Sequence, residues 1–118
     1  MYQAKDIATY IIDYCICRDT PITNLQLQQT LYILQQEHLR ICHHRLFADD
    51  FEIKTYFHYI PNVYYSYCHY GVMPITHNWK KIFIEPKDIP LINAVTDKVI
   101  STPLRNLFRL SAYKEEAI

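Results

Sequence analysis

Four cysteines and six histidines carry the widest chemical repertoire in this chain. The thiols fall at Cys15, Cys17, Cys42 and Cys68. Structural zinc sites space their ligands as C-x2–4-C or H-x3–5-H, which turns two donors onto one ion. Here one residue separates Cys15 from Cys17, and Cys42, His43 and His44 are contiguous. His38 and His43 are five apart at the end of a helix and do not face one another. Small buried thiols are the simpler expectation. A cysteine nucleophile needs an imidazole within hydrogen-bond reach. Cys42 precedes His43 and Cys68 precedes His69, but consecutive helical residues diverge by about 100°. Asp49, Asp50 and Glu52 form an acidic cluster. Paired carboxylates serve glycoside hydrolysis and metal-assisted phosphoryl chemistry, yet an acidic loop is more often solvated or caps a turn. Gly71 is the sole glycine, which excludes glycine-rich phosphate loops. No catalytic residue, metal ligand or cofactor is expected.

A different chemistry is written in "TYFHYIPNVYYSYCHY", residues 55–70. Tyrosine offers a large rigid contact area with a polar tip, which suits interfaces. Tyr56, Tyr59, Tyr64, Tyr65, Tyr67 and Tyr70 cannot all be buried in a chain of 118 residues. An interaction surface therefore competes with a scatter of half-packed rings. Net charge is zero, which weighs against a general nucleic-acid binder. Lys80 and Lys81 beside Trp79 are the best local basic patch.

These side chains need a scaffold. Half the residues are hydrophobic and 20% are charged, which fits one globular domain with a real core. The first residues hold Lys5 and Asp6 within an apolar pattern and no small-residue cleavage site, so a cytoplasmic chain with reduced thiols is expected. No apolar run reaches the length of a membrane span. Residues 4–17 read as a helix with Ile7, Ile11 and Tyr14 on one side. "RDTP" turns the chain. Thr23 and Gln26 fit a capping box that opens a second helix reaching Cys42. On it Leu27, Leu31, Leu34, His38 and Ile41 form one stripe, and Leu25, Tyr32 and Leu39 another. Gln28 and Gln35 fall between the stripes and should be buried with partners. Gln26, Gln29 and Gln36 should be solvated, with Ile33 an apolar exception beside them. Residues 51–60 read as extended. Pro61 suits the first position of a third helix that Gly71 ends. Residues 81–85 suggest a second short strand. Leu91, Ile92, Val95 and Val99 imply a helix over 90–100, and Thr102–Pro103 a last one with Leu104, Leu107, Phe108 and Leu110. The sum is a mostly α, compact single-domain helical bundle with a small β element.

The order of these motifs resembles the Panacea antitoxin-domain family, which includes SocA-like and phage-associated GepA-like proteins. The resemblance begins with Asp6, Ile7, Ala8, Tyr10, Ile11 and Ile12. It is most specific at Ile22, Thr23, Asn24, Leu25, Leu27, Gln28, Leu31, Tyr32 and Gln35. Leu46, Phe47, Asp50 and Glu52 follow, then Tyr56, Pro61, Val63 and Tyr64, and finally Tyr70, Gly71, Pro74 and Ile75. It covers residues 2–75 and fades after that. Phe57-His58 stands where the family pattern has Gly-Pro, and Gln26 and Gln29 where it has basic residues. The family's Thr-His ending is not recognisable from Ser111 onward.

The resemblance implies a non-enzymatic binding module that neutralises a cognate toxin directly or delivers it to a protease. Asp6, Asn24, Gln28, Tyr32, Gln35, Pro61, Tyr64 and Gly71 would then be structural. Tyr56, Phe57, His58, Tyr59, Tyr65, Tyr67, Gln29 and Gln36 would be the partner-binding residues. Two other expectations stand beside it. One is a phage or mobile-element inhibitor of a host defence nuclease, anti-CRISPR-like, for which the altered Phe57-His58 segment would suit a diverged scaffold. The other is a small metalloprotein or hydrolase using Cys42, His43 or the acidic loop.

Overall fold

The computed structural model of the chain describes residues 1–54, 57–77 and 82–103. Tyr56, Trp79, Lys80, Lys81 and the helix expected from Pro103 onward thus lie wholly or mainly outside the described residues. Among those described, four α-helices and one two-stranded antiparallel sheet follow in the order α1 (Ala4–Cys17), α2 (Asn24–Cys42), β1 (Glu52–Lys54), β2 (Phe57–Tyr59), α3 (Pro61–Tyr67) and α4 (Ile89–Ser101). The expectation of a mostly α domain with a small β element holds.

Helix α1 (Ala4–Cys17) buries Ala4, Ile7, Ala8, Ile11, Ile12 and Cys15. Its N-terminus is capped from a distance, because the Ala4 N–H donates to Asp49 Oδ1 at 2.8 Å. An acceptor there satisfies one of the four orphan donors of the first turn. Two backbone bonds, Tyr2 N to Leu46 O and Ala48 N to Tyr2 O, both 2.9 Å, tie the segment before α1 to the same loop.

Helix α2 (Asn24–Cys42) starts at the capping box read from Thr23 and Gln26. The Gln26 N–H donates to Thr23 Oγ1 at 3.1 Å, and the Thr23 N–H to Gln26 Oε1 at 2.9 Å. It ends at His43, whose backbone is left-handed at φ 63°. Residues 27–35 are buried without a break, because α1, α3, α4 and β2 all pack against this helix. That corrects two expectations. Gln29 and Ile33, placed on a solvated face, are buried at 0% and 2% exposure. Four packed neighbours leave no solvated face in the middle of the helix. Leu39 and Ile41, placed in the apolar stripes, are exposed.

Strands β1 (Glu52–Lys54) and β2 (Phe57–Tyr59) pair with Glu52 opposite Tyr59, Ile53 opposite His58 and Lys54 opposite Phe57. The extended run over 51–60 therefore folds on itself. No strand forms over 82–85, where a second one was expected; closing a two-residue loop costs far less entropy than closing one of over twenty.

Helix α3 (Pro61–Tyr67) opens with Pro61 in its first turn and tightens into a 3-10 turn over Cys68–Tyr70. Gly71 ends it at φ 61°, ψ −125°, a conformation that only glycine adopts without strain. Helix α4 (Ile89–Ser101) buries Ile92, Val95, Thr96 and Val99. Tyr10 donates to Asn93 Oδ1 at 2.8 Å and Tyr14 to Asp97 Oδ1 at 2.9 Å. The i,i+4 pair on α1 thus meets an i,i+4 pair on α4 in the same order, so the two helices run parallel.

Candidate functional site

Buried amides fix the backbone that carries the tyrosines. Gln28 is fully buried. Its Oε1 accepts the Ile60 N–H at 2.9 Å, and its Nε2 donates to Asn24 Oδ1 at 3.0 Å. Asn24 Nδ2 donates in turn to the Tyr64 carbonyl at 3.0 Å. Two side chains on the first turns of α2 therefore hold Ile60, the junction between β2 and α3, and the Tyr64 carbonyl within α3. Gln35 does the same for the preceding loop. It accepts from the Leu46 N–H at 2.9 Å and donates to the Phe47 carbonyl at 2.9 Å. These are loop backbone groups that no sheet or helix satisfies, so side-chain amides must.

On that frame Phe57, Tyr59, Tyr64 and Tyr65 form one aromatic cluster. Tyr59 and Tyr64 meet edge to face at 5.3 Å, and Tyr64 and Tyr65 at 5.3 Å. Phe57 lies 5.9 Å from Tyr59 and 6.1 Å from Tyr64. The Lys54 ammonium sits 5.3 Å from the Tyr64 ring centre, in cation–π range. Partial burial, and secondarily the Glu52 carboxylate, pushes the Tyr59 hydroxyl above its ordinary value. Tyr65 is 58% exposed. Beside the cluster a cleft of about 400 Å³ is walled by Leu25, Phe57, Tyr64, Cys68 and Val72. Val72 and Met73 add exposed apolar surface next to it.

The residues expected to bind a partner divide. Phe57, Tyr59 and Tyr65 come together. Tyr64, expected to be structural, is the ring at the centre of the cluster, while its carbonyl serves Asn24. His58 turns to the opposite side of the ribbon and stacks on the buried Tyr32 at 4.1 Å, with 13° between planes. Phe51 packs edge-on against the same Tyr32. Tyr67 is half-buried against the core, and burial, partly offset by a hydrogen bond with Thr9, pushes its hydroxyl up. Gln29 is buried and cannot touch a partner. Gln36 is partly exposed, but twelve residues beyond Asn24 it lies about 18 Å further along the helix axis. The clustered set is therefore narrower than expected and is built on β2 and α3. Asp6 sits in the first turn of α1, where a carboxylate complements the helix dipole.

Several of the groups with other chemical potential have structural partners. His43 is the left-handed cap of α2, and its N–H donates to the Leu39 carbonyl. Cys68 Sγ lies 3.4 Å from the Tyr65 carbonyl. His69 packs on Tyr70 with ring centres 4.5 Å apart. Asp49 caps α1, and Asp50 pairs with Arg45 at 2.9 Å. Cys17, Cys42 and Cys68 are exposed and only Cys15 is buried, which corrects the expectation of buried thiols. Burial pushes the Cys15 thiol up to about 11, with Asp97 adding to the effect.

One constellation is not visible in the sequence. Tyr2 donates to Asp88 Oδ2 at 2.8 Å and accepts the Glu85 N–H at 3.0 Å. His38 Nε2 lies 3.9 Å from Asp88 Oδ1, and its Nδ1 is 2.9 Å from the His44 carbonyl. A carbonyl can only accept, so Nδ1 carries a proton. An open cavity of about 620 Å³ adjoins these groups and the exposed Cys42. The separation between His38 and Asp88 in sequence hides the pair. No helix among the described residues is long and apolar enough to cross a membrane. No family model matches the chain, and no curated protein or solved structure matches it.

Proposed function

We propose that this chain is a non-enzymatic protein-binding module of antitoxin type, acting in the cytoplasm. It engages a toxin, or a toxin and the protease that degrades it, through Phe57, Tyr59, Tyr64 and Tyr65. The observation that carries this reading is the cluster itself. Four rings form one connected cluster, of which Phe57 and Tyr64 border a cleft, and the backbone beneath them is fixed by Asn24 and Gln28. Rigid aromatic anchors cost little conformational entropy on binding and are enriched at interface hot spots. The resemblance of Asn24, Gln28 and Gln35 to the Panacea pattern supports the class of partner, because those three amides make the bonds that shape the face. Tyr56, named with them in the sequence, belongs to the same segment.

The test is a growth assay. The open reading frame beside this gene is expressed alone and then together with this chain, and surviving cells are counted. Toxicity relieved by co-expression supports the antitoxin reading. A harmless neighbour, or toxicity that this chain does not relieve, removes it and leaves inhibition of a host defence nuclease as the alternative to assay.

A further inference from the structure

Strand β1 is an open edge. All three of its residues are exposed, Ile53 at 70%, and among the described residues its sheet contains only β1 and β2. The ladder ends at the pair Lys54–Phe57, three positions apart in the chain, where antiparallel pairing requires that those two residues bond to each other. Bonding alternates along an antiparallel ladder. The Ile53 N–H and C=O therefore point away from β2, onto the free edge.

We propose that this edge pairs with β1 of a second copy of the chain, antiparallel and centred on Ile53. The sequence Glu52-Ile53-Lys54 is self-complementary in that arrangement. Each Glu52 faces Lys54 of the second copy, and the two Ile53 residues exchange both backbone hydrogen bonds about a two-fold axis. Charged edges ordinarily repel a neighbour. This one carries one charge of each sign, in the order that antiparallel self-pairing matches and parallel pairing would oppose. Opposite-charge pairs across strands attract, and like charges repel. A zero net charge adds no long-range repulsion between copies. An isologous contact of this kind closes at two copies. Three-residue strands bury far less than the roughly 1,200 Å² of a stable interface, so the dimer is weak and reversible. Glu52 and Lys54 share a side of the ribbon with Tyr59 and Phe57. The two-fold axis would set both aromatic clusters on one side of a four-stranded sheet. The proposal rests on the β1 edge and stands whether or not the aromatic face binds a toxin.

Sedimentation equilibrium of the full chain tests it, over a series reaching about 0.5 mM, the range in which small interfaces associate. The wild type is expected to show a monomer–dimer equilibrium. Glu52→Lys alone and Lys54→Glu alone each convert two attractive pairs into two repulsive ones, which should weaken association about tenfold or more. The double variant Glu52→Lys/Lys54→Glu restores the complementary order and should recover wild-type association. Ile53→Pro removes the outward N–H and should abolish it; the charge variants keep the test valid if proline disturbs the hairpin. A monomer at every concentration overturns the proposal. So does a dimer insensitive to the single reversals, or a double variant no better than either.

Discussion

Replacing Gln28 by methionine removes both of its hydrogen bonds while nearly preserving length and volume. The side chain is fully buried, and so is its neighbour Asn24 at 3% exposure. In the variant the Ile60 N–H loses its acceptor and Asn24 Oδ1 loses its donor. A buried polar group left unsatisfied costs about 1–3 kcal/mol. Asn24 can relax in part, since its Nδ2 still reaches the Tyr64 carbonyl. The sum is about 2–4 kcal/mol, a large share of the stability of an ordinary small domain, roughly 5–15 kcal/mol. Urea unfolding reads it as a lower midpoint with an unchanged slope. Because the two bonds form one network, Gln28→Met and Asn24→Ala should not add. A double-mutant cycle should give a coupling of about 0.5–3 kcal/mol. A methionine variant within about 0.5 kcal/mol of wild type, or strict additivity, would refute the claim that these amides hold the β2–α3 junction.

The other predictions use different readouts. Gly71→Ala meets no atom within 4 Å of the added Cβ, yet it should destabilise by about 1–3 kcal/mol because of its backbone conformation, read by urea midpoint. Thr23→Ala should cost about 1 kcal/mol through loss of the α2 cap, read the same way. The Cys15 thiol is raised in the folded state from 9.0 to about 11. Its contribution is therefore complete below about pH 9 and is lost as pH rises through 11, on the order of 1–2 kcal/mol. Cys15→Ala should flatten that part of the alkaline stability profile. A thiol reagent should label Cys17, Cys42 and Cys68 in the native protein, and Cys15 only as fast as the chain unfolds; mass spectrometry of the labelled peptides decides it.

Local signals were the legible part of this fold. The capping box at Thr23, the proline that opens α3, the glycine that ends it and the spacing of Ile92, Val95 and Val99 each act within a few residues, so the sequence displays them. Gln28 and Gln35 were legible because a polar residue between two apolar stripes has to be buried and paired. Gln29 was not. Its face is polar by periodicity, and only the number of neighbours around α2 decides that it too is buried. The strand pair shows the same limit, because both strands lie within one extended run and Thr55-Tyr56 between them includes no glycine. Tyr64 was half legible: its place in a motif marked it as structural, and only the fold shows its ring among Phe57, Tyr59 and Tyr65. Contacts such as Tyr2 with Asp88 join residues 86 positions apart, and no periodicity records them.

Docking of a partner on the aromatic face is measurable by titration. Once the growth assay identifies the toxin, its affinity is measured calorimetrically for the wild type and for Tyr59→Ala, Tyr65→Ala and Gln36→Ala. Each tyrosine variant, still folded by circular dichroism, should lose about 2 kcal/mol of binding, roughly thirtyfold. Gln36→Ala should bind as the wild type does. Tyrosine variants that retain full affinity, or a loss confined to Gln36→Ala, would rule out docking on this face.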